Sequence, residues 1–316
     1  MNITLSPSAL KGTVQIPASK SFAHRYLICA ALGDAPVSVR CAETSRDMDA
    51  TADCLRALGA EIQRTDWGYR VTPISQIPEK AVLPCRDSGS TLRFLLPVAG
   101  ALGVDAPFQM EGRLPQRPLS PLWEELERMG CSLSRPTPDT IRCTGKLRPG
   151  AYSIAGNVSS QYISSLLMIA PTLRQGLVLE LTGEVISRPY IDMTLAIMRQ
   201  FGAKAQWNGE REIRVEAVPY SPIPYYIESD WSAASYWYEM VALSGDDEAE
   251  VVLPGLFRDS LQGDSAVAEL FSRLGVETKH DGNSVCLAKK ACDSEPFVCN
   301  MVNQPDLAQT VAVTCC

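Results

Sequence analysis

The sequence predicts an α/β protein assembled from copies of one unit of about 72 residues, ordered strand, helix, strand, helix, β-hairpin. Two series of markers predict it. In the first, a bulky apolar residue and a glycine close an amphipathic segment at Leu58-Gly59, Met129-Gly130, Phe201-Gly202 and Leu274-Gly275. Those glycines stand 71, 72 and 73 residues apart. Glycine just past a helix accepts the positive φ of a C-cap. In the second, apolar helices open at Ser19, Ser88, Ser159, Asp230 and Pro305-Asp306, at spacings of 69, 71, 71 and 75 residues. Two unrelated markers holding one period are the signature of a repeat architecture.

The hairpin follows from what lies after each glycine, namely a short apolar run, a turn and a second apolar run. Asn208-Gly209 and Asp281-Gly282 are strong hairpin turns, and Asp66-Trp67-Gly68 and Pro136-Thr137-Pro138-Asp139 are looser ones. The fifth unit has only begun at Asp306, and an apolar helix runs on to Cys315-Cys316. The expectation is that the chain is a fragment of something longer.

Composition excludes several classes of function. The 316 residues are 46% hydrophobic and 21% charged, as in a folded globular protein. Acidic residues outnumber basic ones 36 to 29, for a net charge of −7, against the basic excess of a nucleic-acid binder. The first residues lack the pattern of a signal peptide, and no apolar run is long enough to span a bilayer. Eleven cysteines without a C-x-x-C pair predict reduced thiols and a cytoplasmic protein. The only histidines, His24 and His280, cannot build a multi-histidine metal site. No dinucleotide, P-loop or serine-hydrolase motif is present.

The helix openings are where anion chemistry is expected. A helix N-terminus offers unpaired N–H groups and about half a positive charge. The first opening reads Ser19-Lys20-Ser21-Phe22-Ala23-His24-Arg25, the second Asp87-Ser88-Gly89-Ser90-Thr91-Leu92-Arg93 and the third Asn157-Val158-Ser159-Ser160-Gln161. Each alone reads equally as an ordinary serine cap. Three in phase, two carrying arginine, favour a site. Arg113 and Arg117 in Arg113-Leu114-Pro115-Gln116-Arg117-Pro118 suit a solvated face as well as a site. Asp192 reads as a first-turn charge as well as a site residue, Asp230 as a cap, and His24 equally as a packed or capping histidine and as part of the site.

At these residues the chain resembles the 3-phosphoshikimate 1-carboxyvinyltransferase (enolpyruvyl-shikimate-phosphate synthase) family. The specific segments are Lys20-Ser21-Phe22-Ala23-His24-Arg25, Gly89-Ser90-Thr91-Leu92-Arg93, Gln116-Arg117-Pro118, Ser159-Ser160-Gln161, Ser187-Arg188-Pro189-Tyr190-Ile191-Asp192, Asp230-Trp231-Ser232-Ala233-Ala234-Ser235-Tyr236 and Pro305-Asp306-Leu307-Ala308. The resemblance implies the two-lobed enolpyruvyl transferase fold, three βαβαββ units per lobe with the site in the cleft between lobes. It places an upper lobe over residues 14–226 and an incomplete lower lobe over residues 1–13 and 227–316. Six units would need roughly 430 residues at the period read above.

The implied reaction transfers the enolpyruvyl group of phosphoenolpyruvate to the 5-hydroxyl of shikimate 3-phosphate and releases phosphate. Lys20 would touch both substrates. Ser21 and Arg25 would hold the shikimate ring and its carboxylate, Arg25 through a two-pronged guanidinium contact. Ser159, Ser160 and Ser187 would bind the 3-phosphate, with Gln161 beside the ring. Gly89 and Arg117 would take phosphoenolpyruvate, aided by Gln161, with Arg93 and Tyr190 as neighbours. Asp306 would be the general base at the 5-hydroxyl, and it reads otherwise as a helix cap after proline. No metal or organic cofactor is implied, the substrates are small molecules, and a monomer is expected. The family's later Lys-Glu-x-Asp-Arg and Asp-His-Arg motifs have no counterpart in these residues. The 316 residues are accordingly expected to bind shikimate 3-phosphate weakly and not to turn over. The alternatives are the related UDP-N-acetylglucosamine enolpyruvyl transferase, which normally has Lys-Asn where Lys20-Ser21 stands, and a non-catalytic anion-binding remnant.

Overall fold

The structure, a computed structural model, describes residue 4 and residues 8–316. In chain order it begins with β1 (Lys11–Thr13), α1 (Lys20–Ala31), β2 (Val37–Arg40), α2 (Arg46–Ala57), β3 (Glu61–Thr65) and β4 (Gly68–Thr72). A second copy follows as β5 (Leu83–Arg86), α3 (Gly89–Leu102), β6 (Ala106–Met110), α4 (Leu122–Arg128), β7 (Cys131–Thr137) and β8 (Thr140–Gly145). The third is β9 (Gly150–Ala155), α5 (Ser160–Ile169), β10 (Leu177–Thr182), α6 (Arg188–Gln200), β11 (Ala205–Trp207) and β12 (Glu212–Val215). The fourth is β13 (Tyr225–Tyr226), α7 (Trp231–Leu243), β14 (Glu250–Pro254), α8 (Val267–Arg273), β15 (Val276–Asp281) and β16 (Ser284–Lys289). A 3₁₀ turn at Pro305–Leu307 and α9 (Ala308–Thr314) close the chain.

The repeat read from sequence is therefore the repeat of the fold. The four unit-ending glycines all have positive φ: Gly59 +105°, Gly130 +116°, Gly202 +80° and Gly275 +94°. The second and third copies each build one sheet in which a parallel crossover pair is extended by an antiparallel hairpin, β5-β6-β8-β7 and β9-β10-β12-β11. Helices α1, α3, α5 and α7 begin one residue after Ser19, Ser88, Ser159 and Asp230.

The chain divides into two compact units. The larger spans Lys20–Ile227 and holds three sheets. Its first sheet, β13-β2-β4-β3, takes its parallel edge from Tyr225–Tyr226, far along the chain. Helix α1 is buried on every side from Phe22 to Ala31, with His24 and Arg25 the two polar side chains enclosed among apolar and small ones. Helix α5 packs against α1, α3 and α6.

The smaller unit comprises Glu228–Cys316 with Ser19 and the described residues before it. Its sheet, β1-β14-β16-β15, takes β1 as its parallel edge. Trp231, Tyr238, Leu253, Phe271 and Leu287 form its core. Residues 14–19 belong here rather than to the lobe expected over 14–226. Val14 N–H donates to Val252 O, Ile16 lies in this core, and Ser19 N–H donates to Glu228 O. Ile227 goes with the larger unit, donating its N–H to Arg40 O. Of the expected lower-lobe residues, 1–3 and 5–7 lie outside the described residues. Among the described residues no helix is long and apolar enough to cross a membrane.

Candidate active site

In the larger unit the structure separates serines that cap helices from serines that do not. Ser88 is an ordinary cap, its Oγ accepting from Thr91 N–H at 3.3 Å. Ser159 and Ser187 occupy the N-cap positions of α5 and α6, yet neither side chain makes a capping hydrogen bond. Ser187 is also held at φ +52°, a left-handed conformation that a residue with a Cβ adopts only under constraint. The loops carrying these two serines are joined, with Ile186 N–H donating to Gly156 O at 3.2 Å.

The start of α3 is an arginine site. A Cβ added to Gly89 would clash with Arg117 Nη1, lie 3.4 Å from Arg117 Cζ and come within 3.7 Å of Arg93 Nη1. Two guanidinium groups thus converge on the backbone of one buried glycine at a helix N-terminus. Arg93 continues across to α5. Its Nη1 donates to Gln161 Oε1 at 2.6 Å, and Gln161 Nε2 donates to Ser90 Oγ at 3.0 Å. Its guanidinium also lies over the Tyr162 ring at 5.5 Å. Burial lowers the Arg93 pKa; Tyr162 opposes that shift and the neighbouring positive Arg117 adds to it. Like charges held this close favour a bound anion.

At the start of α1, Lys20 Nζ meets Asp47 Oδ2 at 3.0 Å. Arg25, only 2% exposed, binds the surrounding helices together. Its Nε donates to Thr194 Oγ1 at 2.7 Å, Nη2 to Ser164 Oγ at 3.1 Å and Tyr190 O at 3.4 Å, and Nη1 to Ser21 O at 2.8 Å. Burial pushes its pKa down to about 10. Both edges of the guanidinium are engaged by these neutral acceptors. A substrate carboxylate would meet the second N–H of Nη1 at most, a narrower contact than the two-pronged one anticipated.

His24 is packed rather than capping. It is 1% exposed, its Nδ1 lies 2.7 Å from Thr51 Oγ1, and burial takes its pKa down to about 3, with Lys20 and Arg25 adding to the effect. Asp192 does more than decorate a first turn, since it accepts from Trp207 Nε1 at 2.7 Å. Asp230 caps α7 through Ala233 N–H at 3.0 Å.

The larger unit thus gathers Lys20, Ser21, Arg25, Gly89, Arg93, Arg117, Ser159, Ser160, Gln161, Ser187 and Tyr190 on helix starts and the segments leading to them. Asp306 belongs to the smaller unit, exposed within the 3₁₀ turn that precedes α9. It is not at the N-cap, which is Gln304. Sequence reasoning missed Asp47, Thr51, Ser164 and Thr194, the polar partners behind Lys20, His24 and Arg25. Only the 3.6-residue spacing of Asp47 and Thr51 on one helix could have hinted at a shared face.

Repeated βαβαββ sheets with basic and hydroxyl side chains at their helix starts define the enolpyruvyl transferase class. Solved relatives share the fold. EPSP synthase from Acinetobacter baumannii superposes with a TM-score of 0.73 at 19% identity, covering 96% of this chain and 70% of that one. The enolpyruvyl transferase NikO from Streptomyces tendae gives 0.66 at 15% identity, covering 96% and 73%. Within that class the chain belongs to the EPSP synthase (3-phosphoshikimate 1-carboxyvinyltransferase) family, whose model matches residues 5–316. A curated relative from Bacteroides fragilis, named 3-phosphoshikimate 1-carboxyvinyltransferase, is 39% identical over 98% of this chain and 71% of its own length. One of the same name from Methanothermobacter thermautotrophicus is 35% identical over 99% and 74%.

Proposed function

We propose that the protein serves the transfer of the enolpyruvyl group of phosphoenolpyruvate to the 5-hydroxyl of shikimate 3-phosphate, with release of inorganic phosphate. The observation that carries this reading is the convergence of Arg93 and Arg117 on Gly89, cross-linked through Gln161 to the Ser159–Ser160 opening. Two cations and a helix N-terminus suit a small, multiply charged anion such as phosphoenolpyruvate. The uncapped hydroxyls of Ser159 and Ser187, with Ser160, suit a phosphate monoester. Lys20 serves both anions, Ser21 and Arg25 hold the shikimate ring and its carboxylate, and Tyr190 is, with Arg93, a neighbour of the phosphoenolpyruvate contacts.

In the reaction the 5-hydroxyl oxygen bonds to C2 of phosphoenolpyruvate while C3 gains a proton. The C2–O bond to phosphate then breaks, C3 loses a proton, and phosphate leaves with the electron pair. Asp306 is assigned the hydroxyl proton, on the resemblance of its motif. The arginines and Lys20 stabilise the charged tetrahedral species electrostatically. The protein acts as a cytoplasmic monomer on small-molecule substrates, without cofactor, nucleic acid or membrane. Its free cysteines and its acidic balance support that setting.

The test is isothermal calorimetry of the chain with shikimate 3-phosphate and, in parallel, shikimate. Charge-assisted phosphate contacts of about 1.5–3 kcal/mol predict at least ~10-fold tighter binding of the phosphate ester. Ser160→Ala narrows that difference. Equal binding of the two ligands, or heat from neither, contradicts the assignment.

A further inference from the structure

Behind the helix starts lies a buried polar track that the substrate contacts leave unexplained. His24, Thr51, Ser88 and Thr91 are each 0–1% exposed. His24 Nδ1 lies 2.7 Å from Thr51 Oγ1, Thr51 Oγ1 lies 2.7 Å from Thr91 Oγ1, and Thr91 Oγ1 lies 2.8 Å from Ser88 Oγ. Thr91 Oγ1 also reaches the backbone carbonyl of Asp47 at 3.4 Å. Lys20 and His24 are one turn apart on α1, as are Asp47 and Thr51 on α2. The two helices are therefore joined by two rungs, Lys20–Asp47 and His24–Thr51, and Thr91 of α3 touches the α2 end of both.

Hydroxyls carry one proton each, and this sets the direction of the track. Ser88 Oγ is the acceptor that caps α3, placed at the positive end of the helix. Thr91 donates to it, so Thr91 must accept from Thr51. Thr51 has then spent its proton and must accept from His24. The ring nitrogen that carries hydrogen is thus Nδ1. The bare nitrogen is Nε2, which is buried and has no hydrogen-bond partner. In the reverse direction an N–H would be stranded there, and an unpaired buried donor is the costlier arrangement.

We infer that His24, held as its neutral Nδ1–H tautomer, heads a one-way relay through Thr51 and Thr91 to Ser88 that keeps the start of α1 in register with the start of α3. His24 is on this account a positioning residue for the site under "Proposed function", and the inference rests on that reading. It acts through Lys20 and Ser21 on one side and Gly89 on the other, touching no substrate. Asparagine can place a side-chain N–H where Nδ1–H stands, whereas leucine cannot.

The test has two arms on the whole chain. Long-range ¹H–¹⁵N NMR of the imidazoles, with His280→Asn used to assign the two rings, reads the tautomer directly. The expected signal is a neutral Nδ1–H ring for His24 that does not titrate between pH 5 and 8. An Nε2–H ring, or titration near the ordinary histidine value, overturns the relay whether or not the chain binds shikimate 3-phosphate. In the second arm, calorimetry compares variants with the parent. His24→Leu and Thr51→Val are expected to weaken shikimate 3-phosphate binding about tenfold, while His24→Asn and Thr51→Ser stay within about threefold. Parent-like affinity in folded Thr51→Val overturns the positioning role. Absence of binding by the parent chain condemns the functional reading alone, because the tautomer still decides the relay.

Discussion

Gly89→Ala separates ligand binding from folding. The added methyl would collide with Arg117 Nη1 and crowd Arg117 Cζ at 3.4 Å. The obstacle is the tip of an exposed, flexible side chain, so the fold yields by swinging Arg117 aside. Alanine is the better helix former by about 1 kcal/mol in a helix interior, so net stability stays within about 1 kcal/mol of the parent. The ligand loses a charged hydrogen bond of about 1.5–3 kcal/mol, which is a ~10- to 150-fold weaker affinity for phosphoenolpyruvate. Shikimate 3-phosphate affinity changes by less than about threefold, since the proposed ligands of its phosphate, Ser159, Ser160 and Ser187, lie at the starts of α5 and α6. The assay is calorimetric titration with phosphoenolpyruvate at saturating shikimate 3-phosphate, with a urea melt of each protein. Unchanged phosphoenolpyruvate affinity would refute the claim that the Gly89–Arg117 approach is its seat. A loss of several kcal/mol in the melt would show instead that the approach is structural packing.

Three further outcomes follow from the same geometry. His24 has a folded-state pKa near 3 against its ordinary 6.5, so the unfolded chain binds a proton there first as pH falls. The contribution of neutral His24 is complete above pH 6.5 and declines toward pH 3. From pH 6.5 to 4.5 the urea-derived stability should fall about 2–3 kcal/mol further in the parent than in His24→Asn, and equal slopes would contradict the assignment. Ser187→Gly should raise stability by about 0.5–1 kcal/mol, because it relieves the φ of +52°, and should weaken shikimate 3-phosphate binding about tenfold through the lost hydroxyl. A stability gain without an affinity loss would remove Ser187 from the phosphate site. Arg25→Lys should cost about 3 kcal/mol in a melt, since an ammonium cannot reach Thr194, Ser164, Ser21 O and Tyr190 O together. A cost below about 1 kcal/mol would mean the guanidinium fork is dispensable.

What the sequence made legible was whatever is local. Gly59, Gly130, Gly202 and Gly275 each mark a helix end, and Ser88, Ser159 and Asp230 mark starts, because capping depends on a few neighbouring residues. What a cap does with its side chain was not legible. Ser88 and Ser159 look alike in sequence, and only the first caps. Nor was the support behind the site. Arg25 meets Ser164 and Thr194 across 139 and 169 residues, and His24 meets Thr51 across 27, separations over which no periodicity speaks. The resemblance to the family supplied the substrate, and it rested on short motifs at the helix starts. It said nothing of Ser164 and Thr194, which lie outside every motif and take up N–H groups of Arg25.

The central claim is a shikimate 3-phosphate site on the helix starts of the larger unit. The most direct measurement is calorimetric titration of the chain with shikimate 3-phosphate and, separately, with UDP-N-acetylglucosamine. The account predicts saturable heat from the first and none from the second. Heat from UDP-N-acetylglucosamine alone would contradict it, leaving the fold in place and reassigning its substrate.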